Sequence, residues 1–109
     1  MTDQRFIIEM GMGNDLHGQN YTKAACRAVE NALHGSSLAI LRALPEAKDD
    51  LRVKVTIGVQ NPSAVDVSQV AKMLPVGKVE VDVKQGGLNV NDAVVAQAAI
   101  EAFLPYQGD

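Results

Sequence analysis

Aromatic side chains are scarce in this sequence: two Phe, two Tyr and no Trp among 109 residues. A platform for stacking single-stranded nucleic acid needs several exposed aromatics, and this chain can hardly furnish one. Cationic charge is not in excess either. Ten Lys and Arg stand against thirteen Asp and Glu, a net charge of −3, and the isoelectric point is near 5.2. That excludes nonspecific binding to nucleic acid or to an anionic membrane surface as an expected role, since both need a basic patch. No apolar run approaches the ~20 residues of a membrane-spanning helix. Cys26 is the one cysteine, so no internal disulfide can form, which fits a reducing compartment. It lies in an Ala-rich stretch and reads as a small buried apolar residue rather than a nucleophile. The opening "MTDQRF" has no charged segment followed by an apolar one, so no secretory leader is expected and the cytoplasm is the expected location.

What is present suits a single domain over residues 1–109. The 47% hydrophobic and 21% charged fractions are ordinary for a globular chain. The core must be built from Ala, Val, Leu, Ile and Met. Residues 5–10, "RFIIEM", read as a strand, with Phe6, Ile8 and Met10 on one face and Ile7 and Glu9 on the other. After a glycine-rich stretch, Thr22 is a plausible N-cap for a helix to about His34, its apolar stripe at Ala25, Cys26, Val29, Ala32 and Leu33. Gly35 stops it. Ser36 or Ser37 caps a second short helix through Leu44, ended by Pro45. "LRVKVTIGV" is the clearest strand, with Leu51, Val53, Val55, Ile57 and Val59 alternating against polar residues. Asp66 caps a short helix "VSQVAKML", and "VGKVEVDVKQ" is a second alternating strand. The Gly86–Gly87 pair breaks it at a bend or bulge, and a short extra strand is possible near Leu88. The final stretch, Asp92 to Leu104, is rich in Ala and reads as a helix with Asn91 as N-cap, burying Val95, Ala98, Ala99, Ala102 and Phe103.

The expected order is therefore β-α-α-β-α-β-α. The fold class is an α/β (α+β) two-layer sandwich, a mixed sheet of three or four strands with helices on one face. The outer face of the first strand would then carry Ile7 and Glu9 beside cations. Such a surface asks to be covered, and a second subunit is the natural cover. A homo-oligomer is expected.

The most unusual chemistry lies in "EMGMGNDLHGQN", residues 9–20. Gly11 and Gly13 follow a strand end, where ligands tend to bind in open α/β sheets. As loop residues, these glycines, Asn14 and Gly18 could present backbone N–H groups to an anion or a carbonyl. Asp15 and His17 are two apart. His17 suits a general acid or base, Asp15 would orient it, and Glu9 would be a second carboxylate. Read separately, Asp15 is equally a turn-forming cap and His17 a loop hydrogen bonder. Asn61, after a strand end, could line the same rim, and Gly86 and Gly87 could form its far wall. The dinucleotide spacing G-x-G-x-x-G is not met, because Leu16 stands at its last position, and no P-loop lysine follows. No cofactor is specified. D-x-H alone is a weak metal signal, and no metal is assigned.

"GMGNDLHG" fits the pattern G-x-G-x-D-x-H-G through Gly11, Gly13, Asp15, His17 and Gly18. With the "IGV-NP" and "GGL" segments, it resembles a small family of conserved hypothetical proteins found in bacteria and, with an N-terminal extension, in plants. The likeness covers nearly the whole chain. It implies no established activity. It does imply a fold similar to tubulin C-terminal-domain-like and chorismate-mutase-like sandwiches, which often assemble as rings with sites between subunits.

Three readings of function follow. The first is a small-molecule site at the Gly11–Gly18 loop of a homo-oligomer, with enzyme and binding protein both open. The second is a structural or regulatory assembly protein in which the loop is a subunit joint. The third is a metal-binding protein using Asp15, His17 and a further ligand.

Overall fold

The computed structural model describes residues 3–34, 50–74 and 77–105. A mixed five-stranded sheet carries helices on one face. Strand β1 is Asp3–Asp15, helix α1 Tyr21–His34, strand β2 Arg52–Val59, helix α2 Val67–Ala71, strand β3 Lys78–Gln85, strand β4 Leu88–Val90 and strand β5 Ala93–Pro105. A single 3₁₀ turn, Pro62–Ala64, precedes α2. The sheet order is β1-β5-β2-β3, and β4 pairs with the start of β5. β5 is antiparallel to β1 and to β2, while β2 and β3 are parallel. Strands β1, β2 and β3 therefore end on the same side of the molecule.

Period-two patterning makes β2 the centre of the core. Leu51, Val53, Val55, Ile57 and Val59 are buried, as their alternation predicts. Full burial of a side chain such as Ile57 is worth about 1.5–3 kcal/mol of transfer free energy. Asn20, not Thr22, caps helix α1. The Asn20 Oδ1 accepts the Lys23 N–H at 3.0 Å, and the Asn20 carbonyl accepts the Ala24 N–H. Thr22 instead ties α1 to the segment before α2, its Oγ1 accepting the Asp66 N–H at 2.8 Å and donating to the Ala64 carbonyl at 3.3 Å. Asp66 caps α2 as expected, accepting the Ser68 N–H. The helix proposed for residues 36–44, with its Ser36 or Ser37 cap, lies outside the described residues.

Two elements differ from the sequence expectation. The last is strand β5, not a helix, so the described order is β-α-β-α-β-β-β. Its buried residues are Val94, Ala96, Ala98, Ile100 and Ala102, every second position. Asn91, expected as an N-cap, has φ of 55° and sits with Asp92 in the tight β4–β5 turn. The other difference is β1, which runs through the glycine-rich stretch to Asp15 instead of stopping near Met10. Its faces are also reversed. Ile8 and Met10, expected inside, are 41% and 72% exposed on the open face, while Glu9 pairs with the inward Ile100. A register shift between Arg5 and Ile7 accompanies the change.

Gly11 and Gly13 belong to this strand because α1 lies almost on its backbone. A Cβ on Gly11 would come within 2.5 Å of the Ala28 carbonyl oxygen and 2.4 Å of the Ala32 nitrogen. A Cβ on Gly13 would fall 2.2 Å from the Ala28 nitrogen. The helix answers with Ala24, Ala28 and Ala32, all buried at i, i+4 and i+8. Glycine against alanine brings helix and sheet together at the closest spacing the backbones allow.

Candidate functional site

The true loop is short, residues 16–20, between the end of β1 and the start of α1. Asp15 organises it. The residue is buried at 6% exposure, and its Oδ2 accepts the Asn20 N–H at 2.9 Å. Gly18 passes so close that an added Cβ would stand 2.8 Å from that oxygen. Gln19 takes a positive φ of 49° to complete the turn. The Asn20 N–H lowers the Asp15 pKa most. Lys23, Arg27 and the Gly18 backbone lower it further, against an opposing effect of burial. Asp15 is thus an ionised staple inside the loop.

Two cations complete the place. Arg27 Nη1 is 3.7 Å and Lys23 Nζ 3.9 Å from Asp15 Oδ1. Arg27 also donates to the Asn14 carbonyl at 2.7 Å. With Asn14, Asp15, Leu16, His17, Gly18 and Asn20 they line an open cleft of about 470 Å³. Sequence reasoning missed Lys23 and Arg27. Their signal was the i, i+4 spacing on the first turns of a helix that follows an acidic residue.

His17 is not oriented by Asp15. Its side chain is 89% exposed, and its Nδ1 lies 3.9 Å from Asp92 Oδ2 in the β4–β5 turn. Glu9 does not reach the cleft. It sits six residues back along β1, about 20 Å at ~3.3 Å per residue. Gly11 and Gly13 face α1 rather than the loop. Asn61, Gly86 and Gly87 share the strand-end side of the molecule but gather around the end of β2. There Gln60 Nε2 donates to the Gly86 and Gly87 carbonyls at 3.0 and 3.3 Å. Of the expected site residues, the structure brings together Asn14, Asp15, His17 and Gly18.

Cys26 packs against the core, and burial pushes its thiol pKa up, with Asp66 adding to the rise. That disfavours a thiolate nucleophile. Among the described residues, no three His, Cys, Asp or Glu side chains cluster as a metal site, and no helix is long and apolar enough to cross a membrane.

A mixed sheet covered by helices on one face, with a short charged loop at the end of its first strand, defines an α+β protein. A crystal structure of an FtsZ-like protein of unknown function from Nostoc punctiforme is similar, with 32% identity over 97% of this chain and 99% of that one and a TM-score of 0.85. An empty FtsZ dimer from M. jannaschii is 13% identical over 86% of this chain and 26% of that one, with a TM-score of 0.34. No curated protein matches. Over residues 5–105 the chain matches the model of a conserved hypothetical protein family, Lin0512_fam, and it belongs to that family.

Proposed function

We propose that this chain is a cytoplasmic, homo-oligomeric protein that binds a small anionic metabolite at the cleft of residues 14–20. The observation that carries this reading is the pair of cations held beside the buried Asp15 carboxylate. With Asp15 ionised, Lys23 and Arg27 leave one net positive charge on the cleft wall. A carboxylate or phosphate would meet a guanidinium fork and an ammonium already held in place. Exposed His17 faces the same cleft and would supply acid–base chemistry if a reaction follows binding. Asp92, rather than Asp15, would then be the carboxylate beside it.

The test is a thermal-shift screen with phosphate, pyrophosphate and small di- and tricarboxylates. A ligand at a hundred times its dissociation constant adds about 2.7 kcal/mol of stability. Lys23→Ala and Arg27→Ala should fold and lose that shift. An unchanged melting temperature across the whole anion set, or a shift that survives in both variants, would overturn the reading.

A further inference from the structure

The sheet face opposite the helices bears a ridge beside a groove. Cross-strand register sets Met12, Gln97, Gly58 and Lys84 in one row and Met10, Ala99, Thr56 and Asp82 in the next. Met10 and Met12 are 72% and 60% exposed along the edge strand. Beside them the middle of the sheet falls away over Gly58, Ala99 and Thr56, part of a groove of about 630 Å³. We propose that a second copy of this chain covers this face, each copy's Met10 and Met12 entering the other's groove over Gly58 and Ala99.

Three observations point to a copy rather than an unrelated partner. Knob and hole occur side by side on one surface, the self-complementarity that a two-fold interface requires. Charges on this face occur in pairs, Arg5 Nη1 lying 3.0 Å from Glu101 Oε2 and Lys84 Nζ 3.7 Å from Asp82 Oδ2, so at those positions a facing copy meets neutralised groups. The area also fits. Four strands at ~4.8 Å and four same-face residues at ~6.6 Å intervals give roughly 500 Å² in projection, on the scale of a modest interface once side-chain relief is added.

Docking by face rather than by strand edge follows from α1. Beside the ridge, two outward backbone groups of β1 are occupied. The Met12 N–H donates to Asn31 Oδ1 at 3.0 Å, and the Asn14 carbonyl accepts from Arg27. A strand added there would have to displace both side chains, yet the Met12 side chain remains exposed. This inference rests on the homo-oligomer of the proposed function but not on its anion cleft, and Lys23→Ala should leave assembly unchanged, so cleft and interface fail separately.

Sedimentation equilibrium of the full chain at micromolar concentrations tests it, with circular-dichroism melts to verify folding. The wild type should be a dimer, or an even-numbered assembly of dimers. Met10→Lys with Met12→Lys should be monomeric. Gly58→Ala should weaken association by about tenfold, a change of ~1.4 kcal/mol. It fits the folded chain, because its Cβ would lie 3.5 Å from its nearest neighbours, but it raises the groove floor. Leu16→Lys, an exposed apolar residue off this face, should still dimerise. A monomeric wild type, or an oligomer that persists unchanged in both the Met10/Met12 and Gly58 variants, would overturn the proposal.

Discussion

The residues that looked most like a ligand cradle turn out to have different tasks. Gly11 and Gly13 are glycine because helix backbone occupies the space of a side chain. Gly13→Ala should destabilise the fold by an overpacking cost of about 1–3 kcal/mol, and Gly13→Val should fail to fold. Denaturant titration of both variants checks this, and a ligand-cradling glycine would give the opposite pattern, normal stability with lost binding. Asp15 acts as a staple. Its pKa is lowered in the folded state, so its contribution is present above its unfolded pKa near 4 and fades as pH falls below it. Asp15→Asn should therefore lower the melting temperature at pH 7, and its difference from wild type should shrink at acid pH. Melting curves across that range decide the matter. The sequence spacing places Asp15 and His17 together in a loop, whereas Asp15 is the last residue of β1 and His17 lies in the loop that follows. The spacing could not show that the carboxylate turns inward to backbone N–H groups while the imidazole turns out toward Asp92, because that depends on where the β4–β5 turn lands.

Among the elements, α1, β2, α2 and β3 were legible because each has one clean period and a recognisable start. β5 was not. "AVVAQAAIEAFL" is rich in Ala, the strongest helix former, and it offers apolar residues at helical spacings. The contrary signal was Gln97 and Glu101 sharing one alternating set while Val94, Ala96, Ala98, Ile100 and Ala102 held the other. Small inward residues are needed on β5 because an Ala-faced helix packs closely above it. Tertiary packing thus overrides propensity. The β4–β5 turn supplies a discriminating variant. Asn91 has a positive φ, so Asn91→Gly should be neutral, whereas Asn91→Ser should cost about 1 kcal/mol of left-handed strain. At a helix N-cap, serine would be as good as asparagine, and urea unfolding midpoints of the two variants separate these cases.

At the scale of the whole molecule, α1 does three jobs with two faces. Ala24, Ala28 and Ala32 seal the sheet. Lys23 and Arg27 furnish the cleft. Arg27 and Asn31 close the edge of β1 at Met12 and Asn14, which protects an otherwise open strand. Asn31→Ala should leave the fold standing but raise aggregation, visible as faster light-scattering growth on warming. A period-two pattern gives two faces without saying which is which, so the sequence alone sets Met10 inside and Glu9 outside, whereas the structure exposes Ile8, Met10 and Met12. The anion cleft is the central functional claim. Nitrogen-15 NMR of the uniformly labelled chain, titrated with inorganic phosphate, tests it most directly. Saturable shifts should concentrate on the amides of residues 16–20 and on Lys23 and Arg27. Shifts absent there, or gathered instead around Gly58 and Gln97 on the open sheet face, would contradict it.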